Sequence, residues 1–164
     1  MKRRLIAVVL VGAFALGACG GGGDTETPDA GDAAATPEEI PSGDVSYFGT
    51  EFAFEGPATI GAGETTFTLD NTGEQPHMLL MVELLEGKTL DDVNTYIEEH
   101  GTEGRPPKWA KQVKLQIFAK PGKTGTDKPV NLTAGNYAML CFIPDKETKK
   151  THAELGMASE LTVE

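Results

Sequence analysis

Cysteine is scarce in this 164-residue chain: Cys19 and Cys141 are the only two, so a disulfide-stapled scaffold is excluded. Positive charge is short as well. Against 25 Asp and Glu stand 14 Lys and Arg, a formal net charge of -11, which argues against nucleic-acid binding by the chain as a whole. Catalytic signatures are missing too. The chain has no HExxH, no GxSxG and no glycine-rich phosphate loop between a strand and a helix, and we expect a protein that is not an enzyme. The length leaves room for one cored domain but not comfortably for two.

The N-terminus reads as a targeting segment. Lys2, Arg3 and Arg4 precede an apolar run over residues 5–16, too short for the ~20 residues of a spanning helix but suited to a secretory signal. The run ends in Leu16-Gly17-Ala18-Cys19, which resembles the lipobox of bacterial lipoproteins. That resemblance implies cleavage after residue 18, lipidation of Cys19, and a location in the cell envelope on the extracytoplasmic side of a bacterial membrane. An ordinary signal peptide with an accidental cysteine is the alternative. Residues 19–43 then form a tether: four glycines at 20–23, followed by Asp, Glu, Thr, Pro and Ala without periodicity, cannot bury enough apolar surface to fold. At ~5–6 Å times the square root of its length, such a tether reaches a few tens of Å.

The fold is left to residues 44–164, where the dominant period is two. Strands are expected at 51–54, 65–70, 77–84, 129–132, 137–143 and 159–163, with 65–70 beside 77–84 and 129–132 beside 137–143 as neighbouring pairs. Short strands with glycine-rich turns point to an all-β fold, a Greek-key β-sandwich or barrel. One stretch departs from this pattern. Thr89-Leu90-Asp91-Asp92 has the character of a capping box, and Leu90, Val93 and Ile97 recur at helical spacing up to Gly101. A short helix over 90–100 is expected, within an insertion spanning 86–126 and packed on one side of the sandwich.

Soft donors gather near the C-terminus. Tyr137, Met139, Cys141 and Ile143 share a strand face, and His152 and Met157 follow. One thiolate, two imidazoles and a distant thioether suit a copper electron-transfer site, and His77, at a strand start after Pro76, is the candidate for the second imidazole. Taken singly, Cys141 reads as a small buried hydrophobe, His77 as a hydrogen-bonded strand-end residue and Met157 as core filling. Taken together, in this order and strand context, they favour metal. His100 closes the expected helix, where it suits the last carbonyls, and is left out of the set.

Three segments, 71–77 (NTGEQPH), 134–141 (AGNYAMLC) and 152–163 (HAELGMASELTV), resemble the blue copper proteins, the cupredoxins, and among them the plastocyanin type. The resemblance implies an eight-stranded Greek-key sandwich. It also implies one Cu(I)/Cu(II) ion held by His77, Cys141 and His152, with Met157 as a weak axial ligand, and single-electron transfer to a redox partner. Two positions depart from the plastocyanin pattern. Ten residues, 142–151, separate Cys141 from His152 where plastocyanin has two, so this loop must double back, with a turn beginning at Pro144-Asp145. Met78 stands where plastocyanin has an Asn that ties the ligand loops together. Two further readings stay open: a copper-binding or delivery protein without redox cycling, and a metal-free binding module on the same fold.

Charge is unevenly spread. Without the signal segment the chain carries -14, yet residues 105–150 hold ten Lys or Arg against Asp127, Asp145 and Glu147, a local +7. Lys146, Lys149 and Lys150 lie inside the Cys141-to-His152 loop, so the rim of the site would be basic and suit a partner with an acidic docking face. Solvated lysines with no partner are the alternative.

Overall fold

The computed structural model describes residues 43–164; the expected signal peptide, Cys19 and nearly all of the tether lie outside the described residues. In chain order the elements are β1 (Asp44–Thr50), β2 (Ala53–Glu55), β3 (Thr59–Ile60), β4 (Gly63–Asn71), β5 (His77–Leu84), α1 (Leu90–His100), β6 (Ala110–Ala119), β7 (Thr124–Thr126), β8 (Val130–Leu132), β9 (Gly135–Leu140) and β10 (Ala158–Val163). Just before β10 lies a 3₁₀ turn, Ala153–Leu155. Among the described residues, no helix is long and apolar enough to cross a membrane.

Alternation builds the strands. Val45 and Tyr47 of β1, Phe67 and Leu69 of β4, Leu115 and Ile117 of β6, and Leu161 and Val163 of β10 all point into one interior cluster, while their neighbours in sequence face outward. Each such side chain, fully buried, contributes roughly 1.5–3 kcal/mol relative to leaving it in water. Two five-stranded sheets enclose this core. One has the order β2-β1-β4-β7, with β8 also on β4; the other runs β3-β10-β9-β5-β6. Strands β7 and β8 take successive stretches of the same edge of β4, at Thr68–Asp70 and Gly63–Thr65.

The sandwich is as expected, with ten strands among the described residues in place of the eight that the resemblance implies, and several pairings differ. Strands β4 and β5 lie in opposite sheets, as do β8 and β9, because each connection crosses from one layer to the other instead of closing a hairpin. Two pairs, β1 with β4 and β3 with β10, are parallel. The strand expected at 51–54 forms at 53–55, β1 precedes it, and the strand expected to reach 143 ends at Leu140. The insertion at 86–126 is more than a helix and its loops, since it supplies β6 and β7. Sequence shows β6 once it is sought: Val113, Leu115, Ile117 and Ala119 alternate with Lys114, Gln116 and Phe118.

Helix α1 forms as its caps dictate. The Thr89 N–H donates to Asp92 Oδ2 at 3.0 Å, and the Gly101 N–H, with φ at 69°, reaches Ile97 O at 2.8 Å. Its apolar side packs with Val82, Leu84, Ala138 and Leu140 in a second cluster on the outer face of β5 and β9. Those two strands are therefore covered on both faces, which is why 77–84 reads as a nearly continuous apolar run. His100 is exposed, stacks on Tyr96 with ring centroids 4.4 Å apart, and plays no part in the site described next.

Candidate metal centre

His77 opens β5 and Cys141 follows the last residue of β9. The two strands run antiparallel with Leu80 opposite Leu140, so the start of one meets the end of the other. Parity does the rest. Met81 and Met139 are paired and face the sandwich interior; two residues on from each, along the inward face, the chain reaches Leu79 then His77 on one strand and Cys141 on the other.

His152 is delivered by the long loop, which does double back. Pro144 and Thr151 form a β-bridge, the Asp145 N–H donates to Lys150 O at 2.8 Å, the His152 N–H to Ile143 O at 2.9 Å and the Ala153 N–H to Cys141 O at 2.8 Å. Residues 142–151 thus behave as a folded ribbon that returns the chain to Cys141. The 3₁₀ turn follows, and Gly156, at φ 104°, reverses the backbone in a region that a side chain would strain. Met157 is then held from both sides: its N–H donates to His152 O at 2.8 Å and its carbonyl accepts from Cys141 N–H at 3.2 Å.

The donor atoms converge. His77, Cys141 and His152 are all buried, and one ligand atom from each lies within 4.8 Å of the others. The two Nδ1 atoms are 3.2 Å apart and Cys141 Sγ is 3.5 Å from His152 Nδ1. Met157 is fully buried in the same interior cluster as Cys141. Cys19 lies outside the described residues.

Supporting groups surround the three. The Met78 N–H donates to Cys141 Sγ at 3.3 Å. Asn71, buried, donates from Nδ2 to Gln75 O at 2.7 Å and Ala119 O at 2.9 Å and accepts at Oδ1 from the Gly73 N–H, fixing the turn that leads to His77. The Gln75 side chain bridges the two ligand loops: Nε2 donates to Asp145 Oδ1 at 2.7 Å and Oε1 accepts from the Lys146 N–H at 3.0 Å. Glu51 Oε1 accepts from the N–H groups of Glu74 and Gln75, both at 2.8 Å, and lies 3.4 Å from His77 Nε2. Phe52 covers His152, its ring centroid 4.9 Å away. Of these, the sequence pointed to the turn at Asn71, to Met78 and to Asp145; the roles of Glu51 and of the Gln75 side chain arise from long-range contacts and carry no local signal.

Burial governs the protonation states. It pushes both imidazoles below the usual histidine range; Glu51 opposes this at His77, whereas at His152 the His77 charge adds to it. Burial likewise raises the Cys141 thiol, opposed by the N–H groups of Ile143 and Met78. The result is a buried cluster of neutral nitrogen and sulfur donors. Both Nε2 atoms are buried without a hydrogen-bond partner, and the two Nδ1 atoms face each other and the sulfur. Two imidazoles and a thiol, with Met157 buried in the same interior cluster as Cys141, fit a soft or borderline ion such as copper, and would serve poorly for Mg²⁺ or Ca²⁺, which prefer oxygen.

No family model matches the chain, and no curated protein matches it. Solved structures do. Dithionite-reduced auracyanin from the photosynthetic bacterium Roseiflexus castenholzii is similar at 23% identity and a TM-score of 0.52, over 75% of this chain and 98% of that one. Auracyanin B (20% identity, TM-score 0.44, 77% and 91% covered) and auracyanin A, a blue copper protein from Chloroflexus aurantiacus (16%, 0.44, 76% and 100%), are more distant in shape. With two five-stranded sheets closed over one core, an inserted helix on the outer face, and the likeness to the Roseiflexus protein along that protein's whole length, residues 43–164 adopt the cupredoxin fold.

Proposed function

We propose that this protein is a single-electron carrier in which His77, Cys141 and His152 would hold one copper ion, with Met157 as a weaker fourth ligand. One observation carries the reading: three buried donors of the right chemistry, from three separate chain segments, gathered within 4.8 Å. Bound there, copper supplies a one-electron Cu(I)/Cu(II) couple. The chain's part is to keep the donors in place. Strands β5 and β9 anchor His77 and Cys141, the bridged loop fixes His152, and the surrounding apolar side chains would keep water out, so the donors would need little rearrangement on oxidation or reduction. Three strong donors with a weaker fourth would leave no strong open position for a substrate, which favours electron transfer over catalysis. The likeness to the Roseiflexus auracyanin supports the same reading, since that protein was crystallised in a dithionite-reduced form.

The finer parts of the proposal come from sequence. Lipidation at Cys19 would anchor the chain to the extracytoplasmic side of a bacterial membrane, and the tether would let the domain reach a redox partner. Lys120, Lys123, Lys146, Lys149 and Lys150 are exposed on segments hydrogen-bonded to the loops that carry the site, which favours a partner with an acidic face.

The test is the visible spectrum after Cu(II) addition, using the chain with Cys19→Ser so that Cys141 is the sole cysteine. An intense thiolate-to-copper band that disappears on Cys141→Ser is the expected result. A folded protein with a reduced thiol and no such band would sink the carrier reading and leave copper delivery, to be assayed as Cu(I) binding and transfer.

A further inference from the structure

His77 presents Nδ1 to His152 and Cys141 and directs its other nitrogen, Nε2, away from them toward the carboxylate of Glu51, 3.4 Å from Oε1. Nε2 is buried and unpartnered in hydrogen-bonding terms, although its nearest acceptor is an anion whose side chain keeps 30% exposure. An imidazole that ligates through one nitrogen needs its proton on the other, and a carboxylate beside that other nitrogen selects the tautomer and orients the ring. Glu51 is itself held. The N–H groups of Glu74 and Gln75 bind Oε1 from the turn that feeds His77. Gly73 makes this approach possible, because a Cβ there would lie 2.5 Å from Oε1.

Resting on the copper reading above, we propose that Glu51 is the positioning residue of the site. It keeps His77 protonated at Nε2, leaves the Nδ1 lone pair directed into the cluster, and sets its negative charge behind the ligand. In the metal-free protein the proton shared by the facing Nδ1 atoms then belongs to His152. In the loaded protein the carboxylate favours the more positive oxidised ion, so Glu51 lowers the reduction potential. The sequence spacing gives no hint of this role, since 26 positions separate Glu51 from His77.

Imidazole ¹⁵N NMR on the metal-free full chain reads the tautomer directly. The expected result is His77 as the Nε2–H form and His152 as the Nδ1–H form, with Glu51→Ala converting His77 to a mixture. Glu51→Gln keeps an acceptor oxygen for the Glu74 and Gln75 N–H groups while removing the charge, so it guards against a variant that fails to fold. In the copper-loaded Glu51→Gln protein the potential should rise above wild type, with the thiolate-to-copper band retained. His77 found as the Nδ1–H form in the wild type, or Glu51→Gln and Glu51→Ala both indistinguishable from it in tautomer and potential, would overturn the proposal. The tautomer is read without metal, so it decides this role even where the copper band is absent.

Discussion

Asp145 carries much of the organisation of the Cys141-to-His152 loop. Its Oδ2 accepts from the Glu147 N–H, the Thr148 N–H and the Thr148 hydroxyl, and its Oδ1 accepts from Gln75 across the site. The Gln75 and Thr148 bonds hold its carboxyl well below the usual carboxylate range. A carboxylate depressed in the folded state adds stability above its unfolded value, near pH 3.9, and loses that contribution as pH falls from there toward the lower folded value. Denaturant titrations between pH 6 and pH 2.5 should therefore show a stability loss in the wild type that is smaller in Asp145→Asn, which starts from a less stable protein at pH 6. Equal slopes in the two would mean that the ion's bonds matter no more than an amide's. The Gln75–Asp145 bridge also accounts for Met78. The tie between ligand loops that the resemblance places at that position has moved to a side chain three residues earlier.

Among the elements that the sequence does not announce, namely β1, β3, β6 and β7, the longest is β6. Leu115, Ile117 and Ala119 enter the core beside β5, and His77 lies opposite Ala119. Ile117→Ala should cost about 2–5 kcal/mol in chemical denaturation, whereas the exposed neighbour Lys114→Ala should change stability by less than about 0.5 kcal/mol. Comparable small effects at both positions would rule out the strand. The reason β6 was missed is physical. Its alternation is blurred by the exposed Phe118 between Ile117 and Ala119, and it follows a helix and a proline-rich stretch that suggest a loop. Strand β5 and helix α1, by contrast, are legible to the residue, because a doubly buried strand gives a nearly continuous apolar run and the helix carries both of its caps. Which strands pair was not legible: alternation specifies a buried face, and the layer to which each strand belongs is set by crossovers that leave no mark in 71–76 or 133–134. For the site, donor types and their order could be read from sequence, so that His77, Cys141 and His152 could be named together, and their convergence is a fact of the structure. Of the groups that orient them, Glu51 between β1 and β2 and the Gln75 side chain could not be named from sequence.

At the scale of the whole molecule, charge is divided. The strongly acidic balance of the chain contrasts with lysines clustered on the turn 120–123 and the loop 146–150, both bonded to segments beside the site. A field of this kind acts on encounter rates and is screened over about 8 Å at physiological salt. Stopped-flow oxidation of the copper(I) protein by an anionic complex such as ferricyanide should slow with rising ionic strength, and replacing Lys146, Lys149 and Lys150 with Glu should flatten or invert that slope. A salt slope unchanged by the triple replacement would remove these lysines from any steering role. The double covering of β5 and β9, by the sandwich core on one side and α1 on the other, has a consequence for how the molecule breathes. With neighbours along both edges and apolar layers on both faces, the inner amides of these strands have no local route to solvent, and their deuterium uptake must wait for the whole domain to open. The backbone that carries His77 and Cys141 is thus placed at the slow-exchanging extreme of the protein, and fluctuations of the loop between Cys141 and His152 leave two of the three donors where they are.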